Sequence, residues 1–313
     1  MQNIISVSRR TDIPVFYTDW FINRLKKRFV IVQHPYTKMM HSVSLMPEDI
    51  LGFVFWSKNF SPLLSRIEEV EKVSRKLFFH FTITGMSKDI ELFTPPFEQA
   101  LEDFIFLARR YSPEHIIWRF DPICITDKIS FQEQRERFIK CAERLERFVH
   151  TCYISFVHPY KRTVKGFQRY TAHRLFEVTD NEKRNYAYEL VEIARTYGID
   201  LHACCNDYLL SEDIVKGSCI NKNNLLNTWE LTGCEKERRS PTRAECSCTR
   251  SVDIGAYDTC LHGCIYCYVN SDKEKSASFY RTHDPEWSAL NRDVEVCESI
   301  NSRINLYETA CNI

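Results

Sequence analysis

Cys260, Cys264 and Cys267 stand within eight residues of one another, in the stretch DTCLHGCIYCYVN (258–270). The spacing Cys-x3-Cys-x2-Cys offers three thiolates from one short loop, one fewer than a closed tetrahedral zinc site takes from its protein. It suits a cubane [4Fe–4S] cluster ligated at three irons, with the fourth iron left for a ligand from outside the chain. S-adenosylmethionine (SAM) fills such an opening through its amino and carboxylate groups. One electron then cleaves its sulfonium to a 5′-deoxyadenosyl radical that abstracts hydrogen. A structural zinc completed by His262 or by a distant cysteine is the rival reading, and His262 is otherwise a surface or neighbouring group.

Fourteen cysteines in 313 residues need a common explanation, and nine of them fall between Cys204 and Cys267. A disulfide framework belongs to small exported domains. This chain is not small, and its start, MQNIISVSRRTDIP, has no apolar segment behind its charges. Clustering in a reducing, cytosolic setting points to metal instead. Cys204, Cys219, Cys246 and Cys248 make a second ligand set for an auxiliary [4Fe–4S] cluster or a zinc, with Cys205 and Cys234 as alternates. Cys124, Cys141 and Cys152 sit in apolar patterns and are expected in the core.

The elements that must position these groups come earlier in the chain. Forty-two basic and 42 acidic side chains balance, so no strong field recruits nucleic acid or an anionic membrane. No run is long and apolar enough to span a bilayer. Continuous apolar runs at 3–8, 29–34, 51–57, 76–84, 115–123, 151–157 and 199–205 have the composition of parallel strands covered on both faces. Helical stripes alternate with them. Phe97, Leu101, Phe104, Ile105 and Ala108 form one, Phe138, Cys141, Leu145 and Phe148 another, and Tyr186, Leu190, Ile193, Ala194 and Tyr197 a third, closed by Gly198. Seven such alternations predict an α/β fold, most simply a TIM-like (β/α) barrel, complete or partial; a doubly wound open sheet is the competitor. The barrel body is expected over 1–206. A cysteine-rich, metal-organised segment over 207–313 would pack on it, with too few apolar residues to fold alone.

Polar residues follow the apolar runs: Arg9, Arg10 and Asp12 after the first, Lys58 after the third, Thr84 after the fourth, and Arg119 and Asp121 in the fifth. In a parallel α/β fold these ends gather on one face, where ligands bind.

The segments SRRTDIPVFY, FWSKN, FHFTITG, WRFDPI and CSCTRSVDIGAYDTCLHGCIYCYVN together resemble DUF1848, a bacterial family of unknown function. The resemblance covers nearly the whole chain. Phe60 stands where the pattern usually has proline and Asn206 where it has an acid, which weakens a general-base role there. The family's C-terminal cysteines are similar to the cluster loop of radical SAM proteins, and that loop usually carries an aromatic where Tyr266 stands. The loop lies at the opposite end of the chain here, which implies something like a circular permutation. The resemblance thus implies a radical SAM-like enzyme, with flavodoxin or ferredoxin as a suitable electron donor and an unspecified substrate. Asp12, Thr84 and Asp121 are candidates for the SAM amino group, Arg9, Arg10 and Arg119 for its carboxylate, Tyr266 for packing, and Asp12, Asp121 and Lys58 for catalysis. Arg243 matches an arginine of the family pattern. Two rivals remain. One is a metal-stapled module, zinc or Fe–S, that binds nucleic acid or a partner without radical chemistry. The other is a hydrolytic metalloenzyme built on strand-end His and Asp.

Overall fold

The computed structural model describes residues 2–232 and 239–294, so the alternate ligand Cys234 lies outside the described residues. Its strands are β1 (Asn3–Val7), β2 (Phe29–Gln33), β3 (Met40–Ser44), β4 (Ile50–Ser57), β5 (Leu77–Thr82), β6 (Ile116–Ile123), β7 (Thr151–Phe156), β8 (Asp200–Ala203), β9 (Val215–Lys216) and β10 (Val252–Asp253). Eight of them form one sheet in the order β10-β1-β4-β5-β6-β7-β8-β9. Every neighbouring pair in it is parallel. No helix among the described residues is long and apolar enough to cross a membrane.

Two expectations need correction. The run at 29–34 is a strand, but not one of the large sheet. β2 turns back through His34–Met39 and pairs antiparallel with β3. So short a connection cannot make the crossover that a parallel neighbour needs. The barrel is also not closed. β9 and β10 are the two edges of the sheet, each only two residues long, and no ladder joins them among the described residues. Loops bridge the seam instead. Thr249 N–H donates to the Ile220 carbonyl at 2.8 Å, and the Ser247 and Ser218 hydroxyls cross to the Gly217 and Ser247 carbonyls at 3.1 and 3.2 Å. The fold is therefore α/β with an open, eight-stranded parallel sheet.

Side chains alternate across this sheet with period two. Ile5 and Val7, Phe53 and Phe55, Phe79 and Phe81, Trp118 and Phe120, and Cys152 and Ile154 face one way into the main core, under the helices. Helices Phe131–Leu145 and Asp180–Thr196 each start in a capping box, Ser130 with Glu133 and Thr179 with Glu182. The opposite face carries Ile4, Val54, Phe78, Ile117 and Tyr153, roofed by Leu225, Leu226 and Trp229 at the end of helix Lys222–Thr228. Toward the C-terminal strand ends this second face turns polar, with Trp56, His80, Arg119, Ser155 and Cys204.

The roof depends on Gly52. A Cβ there would stand 2.4 Å from the Trp229 indole and 2.7 Å from the Lys76 carbonyl. The indole N–H donates to the Leu77 carbonyl at 3.2 Å, so the ring cannot slide away freely. Gly52→Ala is expected to cost about 1–3 kcal/mol through overpacking. Urea denaturation checks this, and an unchanged midpoint would show that the roof is loosely seated.

Candidate functional site

The three-cysteine loop follows β10 and folds against the C-terminal strand ends. Cys264 is buried, and Cys260 and Cys267 are largely covered. The three thiols lie near enough that each would oppose ionisation of its neighbours. Burial pushes the Cys264 thiol up to about 12, against the pull of the Lys58 ammonium. The loop is tightly wound. Cys267 N–H donates to the Cys264 carbonyl at 3.2 Å, and the backbone of Val269 and Asn270 opposes the rise that burial gives the Cys267 thiol pKa. Gly263 takes the left-handed conformation, φ +66°, and a Cβ there would press on Leu92 and Phe93.

His262, inside the loop, is turned away from the thiols. Its Nε2 meets the Asp12 carboxylate at 2.7 Å and its ring packs edge-on against Phe16 at 4.9 Å. Asp12 also accepts from the Ser57 hydroxyl at 2.7 Å and from Lys58 N–H at 2.9 Å. Both of its carboxylate oxygens thus tie the cysteine loop to the ends of β1 and β4. Beside it, Lys58 Nζ lies 2.9 Å from Glu91, which also accepts from the Thr84 hydroxyl at 2.7 Å and from the Tyr266 phenol. Burial alone would push the Lys58 pKa down; the Glu91 carboxylate, with the Cys264 thiol and Asp121, outweighs it and holds the ammonium above its ordinary value. Tyr266 therefore hydrogen-bonds an acid, with its ring 5.9 Å from Lys58 Nζ.

The structure brings the first cysteine trio together with Asp12, Lys58, Thr84 and Tyr266. It places the expected arginines elsewhere. Arg119 donates to the Cys219 sulfur at 3.2 Å and pairs with Asp121, which accepts from Ser155. Arg9 lies 5.7 Å over Trp56 and pairs with Asp253 at 3.8 Å, on the side of Cys219, Cys246 and Cys248. Arg10 stands over Tyr257 at 5.8 Å, with Asp253 at 3.9 Å.

The second cysteine set is also assembled. Cys204 directly follows β8, Cys219 follows β9, and Cys246 and Cys248 precede β10, so three distant segments meet across the seam. Cys204 and Cys219 sulfurs are 3.5 Å apart. Cys205 neighbours both Cys204 and Cys246, and Cys248 neighbours both Cys219 and Cys246. The Cys246 thiol is held well below its ordinary pKa, first by the Cys205 thiol and then by Cys248. His80 Nε2–H donates to the Cys219 carbonyl at 2.7 Å, and burial, reinforced by Arg119, pulls the histidine pKa down to about 3. All eleven cysteines among the described residues are free thiols. No three His, Cys, Asp or Glu side chains among those residues are set round a single point to hold an ion.

Sequence reasoning missed Glu91, Asp253 and the role of His262. Glu91 lies in the irregular stretch TGMSKDIELFTPP after β5, where no periodicity singles it out. Asp253 lies within the cysteine-rich segment but is not a cysteine, and its partners are more than 240 residues away.

A family model described as "Domain of unknown function (DUF1848)" matches residues 4–269, from β1 through the whole cysteine loop. No curated protein and no solved structure matches.

Proposed function

Because this chain belongs to the DUF1848 family, we propose, taking that family's matched region as the functional unit, that it is an iron–sulfur enzyme of the radical SAM type. One observation carries the reading. Three thiols from one loop are packed against the C-terminal ends of a parallel sheet, and the one histidine of that loop is engaged by Asp12 instead of completing a tetrahedron with them.

The donor set fits such a cofactor. Cys260, Cys264 and Cys267 would hold a [4Fe–4S] cluster, and the backbone of Val269 and Asn270, which favours the Cys267 thiolate, is the outer-sphere support that thiolate clusters take. When bound, that cluster supplies one-electron cleavage of SAM for hydrogen abstraction from a substrate. The chain's own residues do the rest. Lys58 offers a cation to the SAM carboxylate, and Glu91, with Thr84, offers acceptors to its amino group. Asp12 and His262 hold the loop in register with the strand ends. Arg9, Arg119 and Asp121 serve the second cysteine set rather than SAM. A cytosolic setting keeps the thiols reduced, and a flavodoxin or ferredoxin suits the electron supply.

Anaerobically reconstituted, reduced protein incubated with SAM should release 5′-deoxyadenosine, and Cys264→Ala should release none. Equal product from the variant, or purified protein that carries zinc and no sulfide at the trio, would end this reading.

A further inference from the structure

Five thiols, Cys204, Cys205, Cys219, Cys246 and Cys248, form a ring of neighbours beneath the seam between β9 and β10, packed in one cluster with the Cys204 and Cys219 sulfurs 3.5 Å apart. Four features of the surroundings are not accounted for by five ordinary core thiols. The first is charge. Arg119, only 9% exposed, directs a guanidinium N–H at the Cys219 sulfur, and Arg9 and Arg243 lie close enough to interact with thiols of the ring. Asp121 answers Arg119 and Asp253 answers Arg9, while Arg243 has the Tyr160 hydroxyl at 3.4 Å and the thiols of Cys205 and Cys204. Arg119 and Arg9 are largely covered and Arg243 stands at the exposed rim, so three guanidinium groups border the thiols with two carboxylates to answer them, a surplus of positive charge that favours an anionic occupant.

The second feature is backbone conformation. Successive residues leaving a strand point to opposite sides. Cys205 takes φ +53°, a left-handed conformation that a residue with a Cβ adopts only at a cost, and its thiol meets that of Cys204. The third is ligand chemistry. The ring contains sulfur only, and soft thiolate sets select zinc or iron–sulfur clusters. The fourth is spread. The five thiols come from three separate segments, after β8, after β9 and before β10, and so surround the seam instead of lining one loop. A cubane takes one thiolate at each of several separate corners.

We propose that this ring is a second [4Fe–4S] site, held by Cys219, Cys246, Cys248 and one thiol of the Cys204–Cys205 pair, and that it staples the two edges of the open sheet. This does not depend on the radical SAM reading of the other trio.

The test uses full-length protein with Cys260, Cys264 and Cys267 all replaced by alanine, reconstituted anaerobically with iron and sulfide. About four irons and about four sulfides per chain should remain, with a reduced-cluster EPR signal. Cys219→Ala/Cys248→Ala should lose that signal while the trio keeps its own, so the two sites fail separately. Because cysteine variants can misfold, Arg119→Lys in the otherwise native chain provides an independent measure. It keeps the charge but loses the planar guanidinium donor at Cys219, and should lower the reduction potential of the second signal alone. Zinc without sulfide in the trio-free protein, no metal there, or an Arg119→Lys potential equal to the native one would each overturn the proposal.

Discussion

Lys58→Met should be among the most destabilising single substitutions in this chain, by about 3–5 kcal/mol, because it strands a buried carboxylate. The Lys58 side chain is 13% exposed and that of Glu91 only 5%. With the ammonium gone, Glu91 keeps only the hydroxyls of Thr84 and Tyr266 as donors. Burial by itself would raise the Glu91 pKa; Lys58, the largest opposing influence, and then the Tyr266 phenol hold it below the ordinary carboxylate value. A carboxyl whose pKa is depressed by folding stabilises the native state above its unfolded pKa, and that contribution fades as pH falls through the folded value. In Lys58→Met the sign reverses, and stability should improve on mild acidification as Glu91 takes up a proton. Adding Glu91→Gln should restore most of the loss at neutral pH, since a neutral amide is far cheaper to bury than an unpaired charge. Urea titration of the native, single and double variants measures all of this. A single-variant loss below about 1 kcal/mol, the range of a solvent-exposed pair, would mean that the ion pair is wet.

How much of this was legible in advance follows from the distance over which each feature is encoded. The long strands were readable because β4, β5 and β6 are buried on both faces and so consist of continuous apolar runs. The helices were readable from their stripes. β9 and β10 were not, since two residues carry no period. Without them the open seam could not be told from a closed barrel. The hairpin return after β2 was hidden by composition, since FVIVQ resembles its neighbours and differs only in the short connection that follows. At the site, the cysteines announced themselves by type and spacing. Glu91 and Asp253 did not, because an acid in a loop is normally solvated and only tertiary contact makes it otherwise. The arginines were visible as charged groups at strand ends, yet their destination depended on which way alternate residues point. Arg119 occupies the same face as Tyr153 and Cys204, and hence meets the second cysteine set.

That dependence on register makes Asp253 the residue whose loss should disturb the site most widely. It accepts from the Ser6 hydroxyl at 2.7 Å, the Ser8 hydroxyl at 2.5 Å, Arg9 N–H at 2.8 Å and Gly255 N–H at 3.0 Å. Arg9 and Arg10 stand at ion-pair distance as well. One carboxylate therefore clamps β10 onto the end of β1, and β10 is the strand from which the cysteine loop departs. Asp253→Ala leaves the Ser6 and Ser8 hydroxyls, both almost fully buried, without this acceptor, as well as two backbone N–H groups. Each orphaned buried donor costs about 1–3 kcal/mol, so a loss of about 3 kcal/mol or more is expected even if some donors find new partners. Asp253→Asn should fall between, because its carbonyl oxygen still accepts while its amide group faces two donors; the serine hydroxyls can rotate to meet it, but a backbone N–H cannot. The damage should be local before it is global. Two residues of ladder cannot hold the segment alone, so amide exchange over 252–269 should accelerate in Asp253→Ala while β5 and β6 stay protected. Iron uptake at the trio should fall with it. If exchange in that segment matched the native protein, the clamp would be ornamental and the loop would owe its position to Asp12 and His262 alone.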